Sequence, residues 1–236
     1  SGNPNWAKDL PNNFSPKDIS AGLNGNIYIG GSIKGQIVLG NDTFNKNSAF
    51  GDAFLIKYDS AGNYLWARKG RTTGFSTLIR SLSVDQNGKV YSGGSFSDSL
   101  IFDTIHVQFN KNTPFIVKHD SSGQVKWLKK LKEYNTGRGF TNQVQTNQSN
   151  EVYLAGTFQD SIEIGKKTLF GSSNTNTFIT KVNSNGNFQW NAKIGIPRNS
   201  GTGSVSNFGI SSANNFLYLS GPIGGSPSNI PFVFGN

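Results

Sequence analysis

Four tryptophans, Trp6, Trp66, Trp127 and Trp190, fall 60, 61 and 63 residues apart. A period of this length means that one supersecondary unit recurs, and each copy must bury its apolar face against its neighbours. Other markers keep the same beat. Asn-Gly-Asn-Ile-Tyr at 24 to 28, Asn-Gly-Lys-Val-Tyr at 87 to 91, Asn-Glu-Val-Tyr at 150 to 153 and Asn-Phe-Leu-Tyr at 215 to 218 make Tyr28, Tyr91, Tyr153 and Tyr218 equivalent. Three residues after each tyrosine comes a glycine: Gly31, Gly94, Gly156 or Gly221. Inside a strand pattern such a glycine predicts a bend, or a backbone approach too close for a Cβ.

A third marker, Phe54-Leu55-Ile56-Lys57-Tyr58-Asp59, returns as Phe115 to Asp120 and as Phe178 to Asn183. Each copy runs into a turn, Asp59-Ser-Ala-Gly62, Asp120-Ser-Ser-Gly123 or Asn183-Ser-Asn-Gly186, and then into the tryptophan strand. The Asx side chain caps such a turn, and glycine supplies its positive φ. The first unit therefore predicts strands near 18–23, 26–32, 53–58 and 64–69, with an extra hairpin around 37–44. Four antiparallel strands with both faces partly apolar must stack on neighbouring sheets. The expected fold is all-β, a β-propeller of about 62 residues per four-stranded blade.

On this reading the whole chain, 1–236, is one repeat array, with units near 11–70, 71–131 and 132–194, an incomplete unit at 195–236, and residues 1–10 as the last strand of a preceding blade. Phe232 to Asn236 matches Ile37 to Asn41, which makes an open arc cut within the fourth blade. The alternative sets Phe232-Val233-Phe234 against Phe54-Leu55-Ile56, so that residues 5 to 8 close a four-bladed ring.

Apolar residues make up only 34% of the chain, yet 12% are aromatic, 18 of them Phe, so bulky core formers are present. With no cysteine, a disulfide framework, a thiolate metal site and a Cys nucleophile are excluded. The sequence has no apolar run long enough for a membrane-spanning helix. A formal charge of +9 raises nucleic acid as a ligand. Against it, the basic residues recur with the repeat: Lys8, Arg68 and Lys69, Lys129 and Lys130, and Lys193 follow the tryptophans, while Lys57, Lys118 and Lys181 occupy the third marker. That distribution predicts solvated strand edges that block aberrant pairing, not a nucleic-acid groove.

Asp52 to Arg68, with Asn24-Gly-Asn-Ile-Tyr-Ile-Gly-Gly-Ser32, resembles the bacterial seven-bladed β-propeller repeat family, found in secreted and surface proteins of Bacteroidota. The resemblance implies export by the type IX secretion system, an envelope or extracellular location, contact with outer-membrane secretion machinery, and further blades in the parent chain. It also makes Ser60, Ser99, Thr104 and Ser161 similar to the O-glycosylation acceptors of that phylum, although turn chemistry accounts equally for the first.

Candidate chemistry is sparse. His119 replaces Tyr58 and Val182 of the sister repeats, so its slot asks for bulk, and His106 has no evident partner. Asp59 and Asp120 share a position with Asn183, and an amide cannot act as an acid or base. Asp98 and Asp160 are equivalent loop residues. No cofactor is expected; the short Asx turns lack the ligands of an EF-hand, with calcium at a blade loop left open. The leading reading is a non-catalytic binding, adhesion or scaffold module for a protein or glycan. A glycan-active hydrolase or lyase, or a cargo segment held in a secretion complex, is the alternative. Contacts are expected from loops 133–143, 196–208 and 222–231, and from Lys126, Lys129, Lys130, Lys132, Arg138 and Arg198.

Overall fold

The computed structural model describes residues 6–134, 139–171, 173, 175–194, 209–213 and 216–220, with Asn110 and the last two segments as backbone only. The first blade comprises β1 (Phe14–Ala21), β2 (Ile27–Ile33), a small hairpin of β3 (Ile37–Leu39) and β4 (Asp42–Phe44), β5 (Asp52–Tyr58) and β6 (Tyr64–Gly70). Its sheet order is β1-β2-β5-β6, antiparallel throughout. The second blade repeats this with β7 (Thr77–Val84), β8 (Val90–Phe102), β9 (Ile105–His119) and β10 (Val125–Lys130). Here the extra hairpin is not separate; it is the far end of the long β8 and β9.

After β11 (Lys132–Glu133), the third blade is built from β12 (Phe140–Thr146), β13 (Val152–Phe158), the hairpin β14 (Ser161–Ile164) and β15 (Lys167–Phe170), β16 (Asn176–Val182) and β17 (Phe188–Ile194), with sheet order β12-β13-β16-β17. β18 (Gly209–Ala213) and β19 (Phe216–Ser220) form the first pair of the next unit. The fold is an all-β propeller array, as the repeat predicts. The first strand, expected near 18–23, begins earlier, at Phe14. Phe232–Asn236, on which the choice between arc and ring turns, lies outside the described residues.

The periodic glycines mark the tightest backbone contact in each blade. A Cβ on Gly31, Gly94 or Gly156 would lie 2.1, 1.9 or 2.1 Å from the carbonyl oxygen of Ser15, Leu78 or Phe140. At that point the first strand of every blade carries a bulge, at Lys17, Arg80 and Asn142 respectively. One residue earlier in the second strand, Gly30 and Gly93 leave room for the next blade. Ile79 and Leu82 fill the first gap and Thr141 and Val144 the second. First strands therefore pack in succession, β7 against β1 and β12 against β7, with β18 beside β12.

The charged and aromatic markers hold consecutive blades together. Trp6, Trp66 and Trp127 donate their indole N–H to the carbonyls of Ser60, Ser121 and Ser184, each in the Asx turn of the following blade, at 2.9, 3.2 and 3.0 Å. Lys57 and Lys118 donate to the same Ser121 and Ser184 carbonyls at 3.0 and 2.6 Å. Their ammonium groups lie over Tyr28 and Tyr91, at 5.2 and 5.1 Å from the ring centres. Lys8 and Arg68 complete the grip on the carbonyls of Gly62 and Gly123.

This corrects the expectation of solvated lysine edges. Lys57 and Lys118 are only 6% and 5% exposed; burial lowers the pKa of each, and a turn carbonyl plus an aromatic face replaces the lost water. Residues 6 to 8 form no strand pairing among the described residues. Trp6 and Lys8 nevertheless dock on the first blade as the outer strands of the first and second blades dock on the second and third.

Candidate functional site

Where the second and third blades meet, three turns surround a cleft of about 370 Å³. The β7–β8 turn contributes Asp85, Asn87 and Lys89; the β12–β13 turn contributes Ser149, Asn150 and Glu151; the β16–β17 hairpin contributes Asn183, Ser184 and Gln189. All three turns have the same construction. Asp85, Asn147 and Asn183 each use Oδ1 to accept the amides two and four residues on, at 2.9 to 3.0 Å, so an Asx side chain replaces the missing backbone bonds of a tight turn. Asn150, at φ 58° where the preceding blade has Gly88, ties the blades together by accepting the Gln86 amide at 3.2 Å.

Both carboxylates in the cleft are occupied. Asp85 is 4% exposed, and the Tyr91 hydroxyl donates to its free oxygen at 3.4 Å. Burial, and then the charge and hydrogen bond of Asp85, raise the Tyr91 phenol well above its usual range. Glu151 is ion-paired to Lys181 at 2.5 Å and accepts from Asn147 and Tyr153 at 2.8 and 3.0 Å. Burial opposes its ionised form, but Lys181, Asn147 and Tyr153 outweigh it and hold the carboxyl below the ordinary glutamate value. The Tyr153 phenol is pushed up to about 12, by burial first and by Glu151 second.

With its acids committed to its own turns, the cleft offers a ligand hydrogen-bonding side chains instead. Those of Asn87, Lys89, Ser149 and Gln189 make no hydrogen bond among the described residues, and such a lining positions a polar ligand without a reactive acid–base pair. No group of three or more His, Cys, Asp or Glu among the described residues is arranged to hold a metal ion.

The residues expected from sequence fall elsewhere. Lys126 is half exposed and faces Asp120 at 3.6 Å. The Lys129 stem lies against the Gly186 turn, its Cε 2.9 Å from where a Cβ would stand. Lys130 donates to the Gln108 carbonyl and lies 5.2 Å from the Phe109 ring centre. Lys132 binds Glu163 at 2.6 Å, and Tyr134 shares that carboxylate. Lys130 and Lys132 lie within electrostatic reach of each other and of Glu163, while Lys126 and Lys129 have other partners. Arg138 and Arg198 lie outside the described residues, as do 135–138 of the first expected loop and the whole of 196–208 and 222–231. Ser60 and Thr104 are exposed and Ser161 is half-buried, whereas Ser99 is 2% exposed and its hydroxyl contacts Thr73 Oγ1 at 2.8 Å.

The sequence contained a signal for the cleft that the repeat alone did not reveal. Asp85 stands where the first repeat has Gly22 and the third Asn147, and Glu151 where the others have Asn26 and Lys89. Positions shared by the repeats build the blades, and the cleft is distinguished by positions where the repeats differ.

Among the described residues no helix is long and apolar enough to cross a membrane. No family model matches the chain. In an alignment of 165 positions that takes in 61% of the chain, it is 31% identical to a WD repeat-containing protein of Acanthamoeba polyphaga mimivirus, and the match covers 12% of that protein's length. This overturns the resemblance to the bacterial seven-bladed repeat family: the similarity that is found points to a viral protein of WD-repeat type.

Proposed function

We propose that the chain is a binding module in which stacked propeller blades form a rigid scaffold, and that the cleft between the second and third blades takes a polar segment of a protein partner. The observation that carries this reading is the state of the cleft acids. Asp85 and Glu151 come from different blades, as a catalytic pair would, yet each is held by three donors of its own blade. The match to a protein named for its WD repeats supports the same reading, because repeat scaffolds of this kind present their loops and turns to partners while the repeat itself supplies rigidity. The reading requires no particular compartment.

A cellulose-bound array of random dodecapeptides tests it. The protein is expected to bind a reproducible subset at micromolar affinity, and Asn87→Trp combined with Ser149→Trp is expected to abolish that part of the subset directed to the cleft. Both side chains lie on turns, so the melting temperature should hold. An array that shows no peptide above background would sink the interaction reading; an unchanged subset with the double variant would move the ligand away from the cleft.

A further inference from the structure

The opposite end of the blades, away from the Asx turns, carries the largest paired apolar exposure among the described residues. Phe50, in the loop before β5, and Phe75, in the linker between the first two blades, are each 70% exposed, and their rings lie side by side with centres 6.2 Å apart. Exposed large apolar residues scattered singly need no explanation, but a pair in contact is a different matter.

The backbone beneath the pair is tightly fixed. The Phe50 amide donates to the Phe75 carbonyl at 2.8 Å and the Thr77 amide to the Gly51 carbonyl at 2.9 Å, with Gly51 and Ser76 in a parallel bridge. The linker is braced in turn from the second blade. Thr72 Oγ1 donates to the Ser97 carbonyl at 2.5 Å, and the Ser76 amide donates to Ser97 Oγ at 3.0 Å. A Cβ on Gly74 would lie 2.3 Å from that same Ser97 carbonyl oxygen, so the chain passes as close as it can. The rings are thus presented by two blades locked together, and a partner would pay little ordering entropy to use them.

Two cationic residues flank the pair, Lys46 by contact and Arg71 along the chain. Lys46 is anchored to the Ala49 carbonyl, next to Phe50, at 2.8 Å, and exposed Arg71 begins the linker that carries Phe75. Asp52, beside the loop, is fully buried and accepts the Asn47 amide at 2.6 Å. Asp98 is the exposed carboxylate on the segment that braces the linker. The chain as a whole carries 22 basic against 13 acidic residues.

We infer that the Phe50–Phe75 pair is the anchor of a second docking surface, which takes an acidic peptide segment of a partner protein carrying an aromatic or large aliphatic side chain. The apolar side chain covers the two rings, the kind of contact that dominates interface energetics, and its flanking carboxylates meet Lys46 and Arg71. This assignment rests on the reading of the chain as an interaction module but uses a different face from the cleft.

Selection of a phage-displayed random dodecapeptide library on the whole chain, followed by fluorescence anisotropy of the enriched peptides, tests it. The expected consensus pairs an aromatic or large aliphatic residue with Asp or Glu. Affinity should fall at least tenfold on Phe50→Ser with Phe75→Ser, and several-fold on Arg71→Glu, which keeps the rings and guards against a folding defect in the first variant. Asn87→Trp with Ser149→Trp should leave these peptides bound. Enriched peptides that bind the Phe variant as well as they bind the parent would overturn the assignment and leave the interaction module standing. So would a consensus without acids, or a concentration-dependent dimer abolished by the same substitutions, which would make the occupant a second copy. Failure of both this library and the peptide array would overturn the two readings together.

Discussion

His119 ends β9 with its side chain wholly buried, its ring edge-on to Phe102 at 5.3 Å and neither nitrogen hydrogen-bonded. Burial, reinforced by the nearby Arg68 charge, holds its pKa down to about 3 from an ordinary 6.5. The folded state therefore keeps the imidazole neutral while the unfolded chain takes up a proton. Stability from this site is complete above pH 6.5 and declines, by about 1.4 kcal/mol per pH unit, as pH falls from 6.5 toward 3. The carboxyls held low in the fold, Asp59, Asp120, Glu151 and Glu163, act the same way only below their unfolded values near 4, so the interval from pH 7 to 5 belongs to His119. Urea midpoints across that interval should fall for the parent and stay nearly flat for His119→Val, which carries the residue of the third blade at this position. A parallel decline in both would show that another group titrates. The sequence already implied a packing role here, because Tyr58 and Val182 fill the sister slots. Only the fold shows that the slot is fully buried.

At the scale of the strand and its turn, the same triplet of Tyr, Lys and Trp recurs in three blades and, among the described residues, reaches a following turn in two. Trp66 and Trp127 reach the serine carbonyl of the following turn. Trp190 packs on Tyr153 at 6.3 Å and is 38% exposed, with no acceptor for its indole N–H among the described residues. Lys181 pairs with Glu151. Substituting Phe retains the aromatic contact and deletes one hydrogen bond. Trp66→Phe and Trp127→Phe should each cost about 0.5–1.5 kcal/mol, and Trp190→Phe less, because no described residue accepts its indole N–H. Chemical denaturation of the three variants decides this, and equal losses in all three would place an acceptor beside Trp190. The turns themselves were legible from the Asx and glycine spacing, because their bonds close within five residues. The partners of the lysines were not, since each lies more than sixty residues away, at 64 for Lys57 and 66 for Lys118.

Across the whole molecule, blades interlock in one direction. Leu82 and Val144, on the first strands of the second and third blades, are 4% and 0% exposed because each fills the gap beside the glycine of the preceding blade. The equivalent residue of the first blade, Ile19, is 63% exposed. One repeat position is thus core twice and surface once, and its energetics should divide accordingly. Leu82→Ala should destabilise by about 2–5 kcal/mol, and Ile19→Ala by less, as Ile19 is 63% exposed among the described residues. Comparable losses at both positions would mean that Ile19 is covered in solution. Asp18 shows the same directionality in polar form: it accepts from Ser81 Oγ and the Leu82 amide across the blade boundary at 2.9 and 2.8 Å.

The sequence by itself determined the repeat, the strand order within a blade, the Asx hairpins and the glycines pressed against a neighbouring carbonyl. All of these follow from periodicity and from backbone geometry over short stretches of chain. Tertiary structure alone decided which face of each unit meets the next. That choice buried Lys57 and Lys118, left the Phe50–Phe75 pair in solvent, and brought Asp85 and Glu151 of two blades to one cleft. Burial and desolvation depend on what another blade places alongside, and identical residues in equivalent repeat positions differ in chemistry when that neighbour differs.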